Sequence, residues 1–158
     1  MKSHVEPLRQ AVEQFDRSQL TETLGQGIRR RGYVHPTQPM IVIKQALNNH
    51  GREANLKEWW MWHALDFSVR PLFNPCWGHW NRGEFLAQPR LDALDNETEV
   101  YVKAILADIP PSDSQLRHKL RRLHLWGWDK MLRTPRVFDY EHLAIEDFVE
   151  WVPTRIKF

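Results

Sequence analysis

A single cysteine, Cys76, occurs in the chain of 158 residues, so no disulfide can form within it. That usage fits a reducing, intracellular compartment and points to a cytoplasmic protein. Glycine is also scarce, at seven residues, and none of the glycine-rich phosphate loops, GxSxG elbows or HExxH helices is present. Long apolar runs are missing. Purely apolar stretches reach only four residues, as at Met40 to Ile43, and Glu6 stands where a signal peptide would need its apolar centre, so neither a membrane span nor an export signal is expected. Repeats and low-complexity tracts are lacking as well. A hydrophobic content of 42% beside 27% charged residues is therefore the composition of a chain that folds, at the usual size of one domain.

What is present is helical periodicity in several places. Val5, Leu8, Val12 and Phe15 recur at three- and four-residue spacing, predicting a helix over 5–17 with Pro7 in its first turn. A short helix through Leu20, Leu24 and Ile28, started by Ser18 and weakened by Gly25 and Gly27, leads to Arg29, Arg30 and Arg31. Thr37 as cap, Pro39 in the first turn, then Met40, Ile41, Ile43 and Leu47 up to Gly51 predict another helix. Leu56, Trp59, Trp60, His63, Ala64 and Phe67 predict the next, closed by Pro71. Those two form a helical hairpin whose second member carries tryptophans rather than the small polar and basic residues of a DNA-reading helix. Asp95 or Asn96 caps a helix with Val100, Ala104 and Ile105 on its buried side, ending at Pro110-Pro111. A last helix over 139–152 buries Ile145, Phe148, Val149 and Val152. The pattern thus reads as mainly α: one compact domain over 1–158 with six or seven helices, and room for a short β-hairpin or wing near 126–140.

Charge is uneven although the net value is only +2. Between Ser112 and Arg136 the chain places seven of its 22 Lys and Arg residues against two acids, which leaves the remainder negative by three. On a helical wheel Leu116, Leu120 and Leu123 share one arc, and Arg117, Lys119, Arg121 and Arg122 occupy the rest. A helix docked by such a seam could offer several guanidinium groups to adjacent phosphates, and with residues 97–109 before it the arrangement is helix-turn-helix-like. The function expected first is a small intracellular nucleic-acid-binding protein, or a small subunit of a nucleoprotein complex. It would grip DNA or RNA backbone with a basic helix at about 114–133. Arg117, Lys119, Arg121, Arg122, Lys130 and Arg133 carry that contact, Arg29, Arg30 and Arg31 assist, and Trp126 and Trp128 stack on bases. Pairing of these bases with the acids of 139–152 is the competing, purely structural account.

Five of the eight tryptophans lie between Trp59 and Trp80, which gives the second expectation. Here the loop 71–82 is the contact surface of a helical protein–protein interaction module, an adaptor or inhibitor, with Trp77 and Trp80 reaching the surface. The structural counterpart is a core built around the rings with residues 71–90 wrapped over it. No cofactor and no metal are expected: Cys76 and His79 have zinc-like spacing and His63 could approach them, but a second ligand pair is missing. An enzyme ranks third, with Cys76, His79 and Asp66 as its candidate groups and no spacing rule joining them.

Overall fold

The structure, a computed structural model, describes residues 15–143. Of the helix predicted over 139–152 only 139–143 are described, and they are not helical; the rest of it, and most of the one predicted over 5–17, lie outside the described residues. Within them the protein is not mainly α: three α-helices are joined by seven β-strands. The chain divides into two compact units, Met1–Trp60 with Pro75–Arg90, and Met61–Asn74 with Leu91–Phe158.

The first unit is organised by a five-stranded antiparallel sheet in the order β1-β2-β3-β5-β4. Its strands are β1 (Thr23–Gln26), β2 (Arg30–Val34), β3 (Ile41–Ala46), β4 (Gly78–Trp80) and β5 (Phe85–Pro89). The helices predicted through Leu20–Ile28 and Met40–Leu47 are both replaced by strands. Ile41, Val42 and Ile43 are β-branched in succession, which restricts χ1 in a helix and suits a pleated sheet. Ile41 and Ile43 fall on one buried face with Tyr33, Phe85, Ala87 and Leu20, and Phe15, Trp77 and Trp80 pack against that cluster. Leu24 and Ile28, which gave the other segment its helical spacing, are exposed, and Gly25 and Gly27 belong to a hairpin. Two of the strands also occupy the stretch 71–90 that was expected to be a loop.

Helix α1 (Asn49–Ala64) crosses the boundary between the units, after Trp60. Gly51 lies inside its first turn instead of stopping an earlier helix. A Cβ there would sit 2.1 Å from the Arg29 carbonyl oxygen, so only glycine lets the helix start against the β1–β2 turn. The Asn48 side chain accepts a hydrogen bond from the Gly51 N–H (3.0 Å) as the N-cap. On the second face of the sheet α1 sets Glu58 between Lys44 (2.8 Å) and Arg30 (2.9 Å), with Asn55 accepting from Arg30 and donating to the Lys44 and Gly83 carbonyls. A buried carboxylate between two cations, each also hydrogen-bonded, is how an interior tolerates charge.

In the second unit α2 (Asn96–Asp108) forms where its cap predicts: Asp95 accepts from the Thr98 N–H and the Thr98 hydroxyl accepts from the Asp95 N–H, a reciprocal box. Its buried residues are Val102 and Ile105. The predicted basic helix is cut to seven residues, α3 (Ser114–Leu120), capped by Asp113. Leu116 and Leu120 are buried as the wheel demanded, but Arg121 closes the helix and a 3-10 turn at Leu123–Leu125 follows. The helix stops because the chain must enter β6 (Trp126–Asp129), which pairs with β7 (Thr134–Val137). So the helix-turn-helix outline fails: α3 has no length with which to lie along a groove. A hairpin does form within 126–140. Around it the unit buries Leu72, Phe73, Ile109, Leu125, Trp126, Val137, Tyr140 and Leu143.

Candidate functional site

The hairpin β6–β7 is held on both edges. Trp128 exchanges two backbone hydrogen bonds with Asp92 (2.8 and 2.9 Å), and Val137 accepts from the Asn74 N–H (2.8 Å). Gly127 lies so close to Leu91 that a Cβ would come within 2.6 Å of that residue's own. Only the turn, residues 130–133, projects beyond this support.

That turn is built by one carboxylate. Asp129 Oδ1 accepts from the N–H groups of Met131 (3.0 Å) and Leu132 (3.1 Å), the side-chain-to-backbone closure that lets Asp start turns. Its Oδ2 accepts from Arg136 Nε at 2.9 Å, and Arg136 Nη1 donates to the Phe73 carbonyl, also at 2.9 Å. Arg136 is only 6% exposed. Burial pushes its guanidinium pKa down and the Asp129 charge opposes that, so the pair persists as ions inside the unit. A chain of contacts therefore runs from the Phe73 carbonyl through Arg136 and Asp129 to the two amides at the tip. What it holds in place is apolar: Met131 is 81% and Leu132 62% exposed, between exposed Lys130 and Arg133. Arg133 itself adopts φ 53°, the left-handed region.

A second group of cations lies where α3 ends. Arg121 and Arg122 are exposed, as are His118 and His124, and Lys119 is half-buried. His142, exposed at its outer edge, is near Lys119 and Arg122 and hydrogen-bonds the Lys119 backbone; partial desolvation holds its imidazole below the usual range, with Asp139 pulling the other way. Four strand residues separate this group from the tip, on the order of 13 Å.

The residues singled out in the sequence divide sharply. Arg117 is turned inward and donates to the Ile109 carbonyl, and Trp126 is buried with its indole N–H donating to the Leu120 carbonyl (2.7 Å). Trp128 is half-buried and tilted against Tyr101, ring centres 5.2 Å apart. Arg121, Arg122 and Arg133 are exposed, and no carboxylate among the described residues lies within ion-pair distance of them. Lys130 stands 3.9 Å from Asp92, both well exposed, a contact of little energy.

In the first unit Arg30 is committed to Glu58, and Arg31 donates to Gln26 (2.6 Å) and the Tyr33 hydroxyl, leaving Arg29 exposed beside Ile28, itself 92% exposed. Trp77 and Trp80 are half-buried against the sheet core, and Trp80 stacks on Phe85 at 5.5 Å. Trp60, which carried no functional reading, is 68% exposed. Cys76 is buried and receives a hydrogen bond from Gln88, and His79 packs edge-on to Trp59. Asp66 serves its own turn by accepting from Ser68.

Sequence reasoning missed Asp129, Met131, Leu132 and His142. Asp followed by four turn residues between Trp128 and Pro135 was the available cue for the first three; nothing local marks His142. The chain matches no protein-family model, and no curated protein sequence matches it.

Proposed function

We propose that the second unit is a nucleic-acid-binding module that contacts phosphates through Arg121 and Arg122 at the end of α3 and through Lys130 and Arg133 at the hairpin tip, with Lys119 and His142 beside the first group. The observation that carries this is how arginine is used. Arg70, Arg117 and Arg136 of the same unit all donate to backbone carbonyls or to a carboxylate. Arg121, Arg122 and Arg133 stand exposed without a carboxylate partner among the described residues. Guanidinium groups left open in this way suit bidentate contact with phosphate oxygens. Of the unit's acids, Asp95 and Asp113 cap helices, and Asp129 is used by Arg136. Such a role puts the protein inside the cell, alone or as a small subunit of a nucleoprotein complex.

The test is a salt series with fluorescent single- and double-stranded oligonucleotides, comparing the wild type with a variant carrying Arg121→Glu, Arg122→Glu and Arg133→Glu. Each phosphate contact contributes about 0.9 to the slope of log K against log salt on duplex, so the triple variant should lose about 2.7. All three side chains are exposed, so the variant should keep the wild-type circular dichroism. Absence of salt-dependent binding by the wild type refutes the proposal.

A further inference from the structure

Resting on the nucleic-acid reading above, we infer that the ligand is duplex DNA and that Met131 and Leu132 form a wedge entering between base pairs from the minor groove. Two unbranched or γ-branched aliphatic side chains at the most exposed point of a supported hairpin are not there to fill a core. They are also not left to move freely. Asp129 holds both of their amides, and the buried Arg136 holds Asp129, so the tip is set in one shape before any ligand arrives.

The flanks say what the wedge enters. Lys130 and Arg133 bracket the apolar pair with positive charge, which complements a partner that is apolar within and anionic at its rim. Stacked base pairs between two phosphate rows meet that description. Since the edges of β6 and β7 are already paired to Asp92 and Asn74, the ribbon cannot lie in a groove as a free arm. Only the four-residue tip is available, and it suits the narrow minor groove, about 6 Å wide, rather than the major groove of about 12 Å. The minor groove of RNA duplexes is shallow and wide, giving a tip of this size no walls, so DNA is favoured. An anionic membrane would satisfy the same charges, but a single myristoyl chain, much larger than Met131 and Leu132 together, already binds only marginally. Unstacking one base step, in contrast, costs about what burial of one or two aliphatic side chains returns.

The experiment uses the full chain and A·T-rich 20-mer duplexes in which 2-aminopurine replaces adenine in turn at each TA or CA step, the steps most easily opened. End-to-end energy transfer reports bending in the same duplexes. Wild type should raise 2-aminopurine fluorescence at one or more steps and shorten the end-to-end distance. Met131→Ala with Leu132→Ala should keep the salt slope, lose both signals, and bind duplex more weakly by on the order of 10- to 100-fold, with single-strand affinity changed less than about threefold. Salt-dependent binding by wild type with neither signal overturns the wedge while leaving the phosphate surface standing. No binding to any oligonucleotide overturns both. A double variant indistinguishable from wild type on duplex overturns the wedge, as does a loss confined to vesicles containing phosphatidylserine, which would assign the tip to a membrane.

Discussion

Arg136 and Asp129 should behave as one unit in the energetics of the second unit, and a double-mutant cycle exposes this. Arg136→Met keeps most of the apolar stem but deletes two charge-assisted hydrogen bonds, to Asp129 Oδ2 and to the Phe73 carbonyl. The carbonyl has little water to turn to, whereas the Asp129 side chain, 17% exposed, retains some along with its two amide donors. A loss of about 2 to 4 kcal/mol follows. Asp129→Ala leaves a guanidinium with 8% of its side chain exposed and no counter-ion, and also frees the Met131 and Leu132 amides, so about 3 to 5 kcal/mol is expected. The two together should cost less than their sum by about 1 to 3 kcal/mol, since the second change removes a group the first had orphaned. Urea unfolding at pH 7, followed by tryptophan fluorescence, gives the four free energies, and amide exchange at Met131 and Leu132 gives an independent readout of the tip. Exchange should quicken most in Asp129→Ala. Additivity within about 0.5 kcal/mol, or single changes costing under about 1 kcal/mol, would refute the proposed chain of support.

Two other consequences are as direct. Gly83 has φ +79°, and a Cβ there would lie 2.7 Å from both the Arg52 carbonyl oxygen and Leu56 Cγ, so Gly83→Ala should cost on the order of 3 kcal/mol, visible as a lowered melting temperature. His142 is held below its ordinary pKa of 6.5, first by partial desolvation, so the unfolded chain binds the extra proton before the folded one does. Its contribution is then intact above about pH 6.5 and is lost as pH falls through the lower folded value; His142→Gln should flatten that part of the stability profile, and the imidazole titration followed by NMR should give a midpoint below 6.5.

Local chemistry was a good guide where one interaction decides the outcome and a poor one where pairing across the chain decides. Asp95 with Thr98 starts α2 because the box needs four consecutive residues and nothing else. The stretch Met40–Leu47 offered Thr37 and Pro39 as a helix start, and its apolar residues fit both a helical stripe and a strand alternation. The β-branched run Ile41-Val42-Ile43 was the cue that favoured the strand. What fixes it there is register, Ile43 opposite Tyr33 on one side and Ala87 on the other, from segments 10 and 44 residues away. Phe85–Pro89 was invisible for the same reason: it pairs with β3 along its length and with β4 over Phe85, Leu86 and Ala87, yet its five residues carry no period of their own.

The basic stretch shows the same division at the level of the site. Counting charge singled out Ser112 to Arg136 by its seven bases against two acids, but charge per residue says nothing about which cations are already spent. Arg117 and Arg136 carry the same formal charge as Arg121 and Arg133, and the difference between a structural and an available guanidinium is decided by a carbonyl at Ile109, another at Phe73, and one carboxylate at Asp129. Once those are assigned, the surplus is concentrated at the two ends of β6, and the apolar pair Met131-Leu132 lies within one of them. Exposed aliphatic side chains and unpaired arginines are each common on surfaces. Their coincidence on a turn held by a buried ion pair is not required by the fold, because an Asn-Gly turn would close the same hairpin without a buried charge. The cost of keeping Arg136 and Asp129 ionised inside the unit is therefore best understood as the cost of fixing the shape of the tip.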